Sequence, residues 1–295
     1  MQQPGSPPAH AQSWPALSAA QAHDPSTRVP FEIAGEAVGS VARQHLRALQ
    51  PFVPALRLES HRVTLHVAAD ERDDTLAHIN QQLRVAGLIK GWRDEPYALP
   101  AADGTTRLAR IERAASRFWG TLTFGAHATG YVAGGGGHPE KLWIAQRAFD
   151  KATDPGRFDN LVGGGVPIDQ TPLQTLIREG WEEAGLRPEA MHHAKAACVL
   201  RLHRDIAEGL QHEWLYSFDL AMPAGLVPQN QDGEVAGFEL LPLAEALRIA
   251  ASGDMTVDAS LVTLDFALRH QLLPAAESAA MHARCRELRI DIGVQ

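Results

Sequence analysis

Cysteine is nearly absent: Cys198 and Cys285 are the two in 295 residues. Two thiols exclude a disulfide scaffold and a cysteine-based zinc cluster, and they lead us to expect a reducing, cytoplasmic setting. No run approaches the ~18 consecutive apolar residues of a membrane helix, so a spanning protein is not expected. The first thirty residues lack a basic start followed by an apolar block, the pattern of a secretory signal. Positive charge is also short: Lys+Arg 27 against Asp+Glu 35 leaves a net charge of −8. That balance argues against nonspecific binding to nucleic acid or a membrane surface. No repeat period suggests a solenoid or propeller. No His-x-x-x-His or Cys/His cluster supports zinc, so His127, His138, His203 and His212 read as surface or hydrogen-bonded core residues.

What is present fits a two-domain globular chain. The length suggests two domains, and hydrophobic residues at 45% suffice for cores in both. Residues 1–30, rich in Pro, Ala, Gln and Ser, read as a disordered tail that buries too little to offset its ordering entropy. Residues 31–117 read as a small α+β domain: a helix over Val38–Leu49, a strand over Arg62–Ala68, a helix over Asp70–Ala86, and strands near Tyr97–Leu99 and Arg107–Ile111. Nothing there clusters catalytic residue types. Residues 118–295 carry strand patterns at Gly120–Val132, Lys141–Phe149, Ala196–His203, Glu213–Leu220 and Phe238–Leu241. Helices are expected at Leu243–Ala251 and Val257–His270. Such an order suits a mixed sheet between helices.

One segment carries chemistry: DNLVGGGVPIDQTPLQTLIREGWEEAGL, residues 159–186. Thr171 as N-cap, Pro172 at the first helical position and Gln174 closing a capping box announce a helix. Gly185 and Pro188 end it. Leu173, Leu176, Ile177, Trp181 and Ala184 form an apolar stripe expected to face the sheet. On the other side Glu179, Glu182 and Glu183 lie at i, i+3 and i, i+4, a carboxylate patch about one turn long. Arg178 reaches Glu182 at i+4, and one cation does not balance three anions. Hard Mg²⁺ would, held by carboxylates and substrate phosphate. Gly163, Gly164 and Gly165 put no side chain between the backbone and such a site.

These residues resemble the Nudix hydrolases, whose box reads G-x5-E-x7-R-E-U-x-E-E-x-G-U with U apolar. Gly164, Arg178, Glu179, Glu182, Glu183, Gly185 and Leu186 match without gaps. Gln170 stands where the family has glutamate, losing a charge but not an acceptor. Gly180 stands where it has an apolar residue, at a helix-propensity cost of about 1 kcal/mol that close helix packing would explain. Further similarity, in FDNLVGGGVP, QHEWLYSFDL and NQDGEVAGFELLPLAEAL, covers residues 31–290. It points to a Nudix branch that carries an N-terminal domain of unassigned role and is related to the Nudix portion associated with thiamine pyrophosphokinase.

The resemblance implies an α+β protein: a C-terminal Nudix α/β/α sandwich with a mixed sheet, preceded by the small α+β domain. It implies Mg²⁺- or Mn²⁺-dependent hydrolysis of a diphosphate linked to an organic group. Branch similarity points to thiamine diphosphate or its oxidised analogues. Glu179, Glu182 and Glu183 become the metal ligands, with the Gly164 carbonyl a further one, and Arg178 orients a carboxylate. In Nudix enzymes the general base often lies outside the box; Glu213 and Glu234 are the candidates, and the two stay open. Arg147, with Gly163 and Gly165, is the candidate for contact with substrate. Trp143, Trp214, Tyr216 and Tyr131 either stack on a substrate ring or fill the sheet core. The expected partner is the small-molecule diphosphate, with no nucleic acid and no membrane, and a homodimer is compatible with this. Two rivals keep the fold: a non-catalytic ligand-sensing module, and an enzyme like isopentenyl-diphosphate isomerase, which would need a cysteine such as Cys198 at the reacting carbon.

Overall fold

The computed structural model describes residues 14–291. Residues 1–13 of the expected tail lie outside the described residues, but the expectation fails from Trp14 onward. Trp14 is 2% exposed and helix α1 (Pro15–Ala19) buries Ala16 and Leu17. Backbone N–H groups of His203 and Asp205 donate to the carbonyls of Ala20 and Ala22 at 2.8 and 2.9 Å. Average composition hid this short apolar cluster, which lies in the same core as helices from the far end of the chain.

In the N-terminal domain, strands β1 (Arg28–Ile33), β2 (Glu36–Ala42), β3 (Leu56–Glu59) and β4 (Arg62–Leu65) form a sheet in the order β2-β1-β4-β3. Helix α2 (Arg72–Val85) buries Leu76, Ile79 and Leu83 in the core of this domain, as its spacing predicted. Hairpin β5 (Pro96–Pro100) and β6 (Arg107–Glu112) leads into a short helix, α3 (Arg113–Trp119). The helix expected over Val38–Leu49 is instead strand β2 followed by a 3₁₀ segment, Arg43–Phe52. The physical cause is a β-bulge. Phe31 pairs with Gly39 and Glu32 with Ala37, leaving Val38 as the extra residue. That residue shifts the face of the strand, so Val38 and Val41 both point inward at a helix-like spacing of three.

The C-terminal domain is built on a sheet ordered β11-β12-β7-β8-β13: Lys195–Ile206, Gly209–Ala221, Leu122–Ala133, Pro139–Arg147 and Val235–Pro242. The β12–β7 pair is parallel and the other neighbours antiparallel, so the sheet is mixed. Short strands β9 (Phe158–Asp159) and β10 (Val162–Gly165) pair with β8 and β7. Along β8, Leu142 and Ile144 join the core shared with α6 (Leu243–Ser252), α7 (Val257–Arg269) and α8 (Ala275–Leu288). Trp143, between them, joins the core on the other face with α4 (Pro172–Ala184) and α5 (Pro188–Met191). The period-2 alternation of one strand thus serves both helical layers, and the result is an α/β/α sandwich behind an α+β domain.

Candidate active site

Helix α4 starts where its sequence says. Thr171 accepts the Gln174 backbone N–H at 3.3 Å, and the Gln174 side chain accepts that of Thr171 at 2.8 Å. Gly185 ends it at φ 63°. Of the expected apolar stripe, Leu176 and Ala184 are buried and Leu173 and Ile177 pack against the same core, but Trp181 is 50% exposed, while Glu179 and Glu183 are buried. Gly163, Gly164 and Gly165 are a strand rather than a loop, pairing in register with His127, Ala126 and Gly125 on β7. Any side chain at Gly164 would collide with the Glu179 carboxylate, so the glycine makes room for the helix to turn this carboxylate inward. Gly180 has its own reason: a Cβ there would lie 2.7 Å from Met191 Sδ, so close packing of α5 on α4 excludes the family's apolar residue.

The three carboxylates are not equivalent. Glu179 and Glu183 line a cavity of about 540 Å³ between the two domains. The Gly163 N–H donates to Glu183 Oε2 at 3.1 Å. Burial, then the charges of Glu179 and Asp159, push the Glu183 carboxyl well above the usual carboxylate range. Burial also raises Glu179, against the opposing pull of Arg178. Glu182 is not among the residues lining the cavity; its side chain is 40% exposed, and Arg178 donates to it and to Glu179, each at 2.7 Å. Among the described residues no three acidic, histidine or cysteine side chains converge as a ready-made metal cluster. Still, two desolvated carboxylates aimed into one cavity suit a hard divalent cation chemically. Glu182 would join them on releasing Arg178.

Outside the box, Glu213 is buried on β12. It accepts from Arg117 Nη2 at 3.0 Å and from the Gln211 amide at 3.1 Å. Burial alone would raise its pKa, but Arg117 and the hydrogen bonds outweigh it and hold the carboxyl low. Gln211 also donates to both Asp258 oxygens. Burial and the Glu213 charge push Asp258 up. Glu234 is paired with Lys151 and, at 3.0 Å, with Arg93 of the N-terminal domain. Burial opposes ionisation there too, yet these two cations hold Glu234 at about 2. Each nitrogen of the Arg147 guanidinium already donates, to the Thr153 and Asp154 carbonyls and to Asp159. It is thereby anchored in the cavity wall, with a second N–H remaining on each terminal nitrogen.

Of the aromatic candidates, Trp143 is core, Tyr131 and Tyr216 are half-buried against it, and Trp214 is half-buried on β12. Trp143 is 6% exposed, Trp214 and Tyr216 pack on Phe124 at 5.8 and 6.4 Å, and Tyr131 packs on Phe266 at 5.4 Å. None of the four lines the cavity; the aromatic that does is Tyr97. His127 is buried beneath Gly163 and hydrogen-bonds Asn160 at 3.1 Å, and the rings of His203 and His212 stack at 4.7 Å. What the sequence reading missed is the N-terminal domain's share: Lys90, Arg93, Tyr97, Arg113 and Arg117 all face the cavity. The available signal was the Arg113/Arg117 pair, one helical turn apart and directly before β7.

Comparisons with known proteins agree with this division. Residues 124–260 match the NUDIX domain, and residues 11–123 match a domain of unknown function, DUF4743. The chain is 32% identical over 251 residues to Nudix hydrolase 24, chloroplastic, of Arabidopsis thaliana, covering 83% of this chain and 68% of that one. It is 30% identical over 257 residues to Nudix hydrolase 20, chloroplastic, of the same plant, covering 82% and 68%. The structure of DR0079 from Deinococcus radiodurans aligns with a TM-score of 0.42 at 22% identity, over 57% of this chain and 97% of that one. The box residues, the sandwich that presents them and the relatives agree: the chain belongs to the Nudix hydrolases, enzymes acting on pyrophosphate-containing substrates.

Proposed function

We propose that this Nudix hydrolase cleaves a diphosphate ester of a cationic organic group, of which thiamine diphosphate and its oxidised analogues are the type, releasing the monophosphate and inorganic phosphate. The observation that carries the reading is the buried Glu179/Glu183 pair in a cavity that is also lined by Lys90, Arg93, Arg113 and Arg117. Glu179, Glu182, Glu183 and the Gly164 carbonyl are the proposed holders of Mg²⁺ or Mn²⁺. Bound there, the metal supplies positive charge that offsets the diphosphate oxygens. Arg178 sets the geometry of two of the three carboxylates.

The same cavity carries Glu213, Asp258, Asp205 and Glu208, acid that favours an organic group bearing its own positive charge. Stacking by Trp143, Trp214, Tyr131 or Tyr216 does not contribute, because none of the four lines the cavity. Both candidate bases are held below the ordinary carboxylate range by a paired cation, Glu234 by Lys151 and Arg93 at about 2 and Glu213 by Arg117, so neither is favoured by its proton affinity and both remain base candidates. Cys198 is half-buried, 3.3 Å from Ser217 Oγ, and pushed up to about 12 by burial. It does not line the cavity, which removes the support for isomerase-like chemistry. A cytoplasmic location is part of the proposal, supported by the free state of Cys198 and Cys285. Among the described residues no helix is long and apolar enough to cross a membrane.

The test is a competition among thiamine-type diphosphates, ADP-ribose, dinucleoside polyphosphates and nucleoside triphosphates with Mg²⁺ and Mn²⁺, scoring products by mass. The thiamine-type compounds are expected to show the highest kcat/KM. A tenfold or greater preference for a nucleotide would remove the cationic-substrate reading.

A further inference from the structure

The described residues lining the cavity divide by domain. The Nudix side supplies carboxylates as well as cations, while the N-terminal side supplies Lys90, Arg93, Arg113 and Arg117 and no carboxylate. Each of these three arginines is held by one side-chain nitrogen only, Arg93 through Nη1 to Glu234 at 3.0 Å. Arg113 Nη1 donates to Glu95 at 2.8 Å, and Arg117 Nη2 donates to Glu213 at 3.0 Å. Arg117 Nη1 is buried with no partner among the described residues. Beside them Tyr97 is 3% exposed, and its hydroxyl is also buried and unpartnered. The Arg113 guanidinium lies over the Tyr97 ring, 5.8 Å from its centroid.

Buried donors without acceptors are rare and call for a reason. Here the reason lies in strand β10, against which Tyr97 and Arg113 are packed. Any Cβ on Gly165 would collide with the Tyr97 hydroxyl, and would lie 3.4 Å from Arg113 Cζ. The third glycine of the run therefore admits the N-terminal domain's donors right up to strand β10, next to the carboxylate pair. We infer that Tyr97, Arg113 and Arg117 form the oxyanion-binding wall of the active site, so that the N-terminal domain grips the substrate's diphosphate group while the Nudix domain carries the carboxylates. Guanidinium groups anchored at one edge keep remaining N–H groups that suit phosphate oxygens. The tyrosine hydroxyl, pressed between Gly165 and Arg113, adds a neutral donor.

The inference rests on the diphosphate reading above, and the test separates the two. Methylenediphosphonate, whose P–C–P bridge resists hydrolysis, is titrated calorimetrically into the full chain with and without Mg²⁺. The wild type is expected to bind it. Arg113→Gln and Arg117→Gln should weaken binding at least tenfold, and Tyr97→Phe three- to tenfold, with Arg113→Lys recovering part of the loss. Thermal unfolding of each variant is followed in parallel. Tyr97→Phe removes a group with no internal partner and should fold normally, so it decides the matter if an arginine variant does not fold. Wild-type affinity in Arg113→Gln and Tyr97→Phe, or no binding by the wild type in either condition, overturns the inference. Hydrolysis of diphosphates alongside unchanged variant binding removes the wall alone. Absence of any hydrolysis removes the functional reading, while diphosphonate binding still decides the wall.

Discussion

Gln170 holds Arg178 from the side opposite the carboxylates. Its amide oxygen accepts from Arg178 Nε at 3.3 Å and from the Thr175 hydroxyl at 3.0 Å. The remaining two guanidinium nitrogens then reach Glu179 and Glu182. An uncharged acceptor thus does the positioning that the family's glutamate would do, without competing for the arginine's charge. Gln170→Glu should change kcat/KM only severalfold, through a stronger pull on Arg178. A change of several hundredfold in steady-state assays would mean that this position governs the chemistry itself.

Glu182 looks the least committed of the three box carboxylates, with its side chain 40% exposed and tied to Arg178. If it joins Glu179 and Glu183 around the metal, Glu182→Gln removes an anionic ligand while keeping the shape. Turnover should then fall by two orders of magnitude or more, with the unfolding midpoint nearly unchanged, since exposed ion pairs stabilise by only about 0–1 kcal/mol. Near-wild-type turnover at saturating Mg²⁺ would assign Glu182 to holding Arg178 and nothing more.

Glu234 makes a prediction about acid stability. Burial alone would raise its carboxyl, but Lys151 and then Arg93 hold it at about 2, against 4.5 for an ordinary glutamate. In acid the unfolded chain therefore takes up this proton first, and the pairing stabilises the fold fully only above about 4.5. Glu234→Gln should be less stable than wild type at neutral pH. The difference should shrink as pH falls through 4.5 and vanish near 2. Denaturant unfolding across that range measures it, and a constant difference would show that the ion pairs are not its source.

Helix α4 was legible because everything that makes it a helix is local. Thr171, Pro172, Gln174 and Gly185 act within a turn of its ends, and the spacing of Glu179, Glu182 and Glu183 follows from the helical period alone. Period alone misled where the backbone departed from regularity: the bulge at Val38 imitates helical spacing within a strand. It misled again where burial is set by a neighbour rather than by hydrophobicity. Trp181 turns outward and Glu179 inward because Gly164 of strand β10 leaves space for a carboxylate.

By itself the sequence determined the Nudix box, the helix that carries it, and the strand pattern of the sandwich, since these depend on residues close together along the chain. The tertiary structure alone decided which charges share the cavity. Arg117 meets Glu213 across 96 positions of sequence and Arg93 meets Glu234 across 141. Such pairings are set by how two domains pack, and neither periodicity nor capping carries any trace of them. The same packing brings Tyr97 to Gly165 and makes an N-terminal domain without catalytic residue types into one wall of the active site.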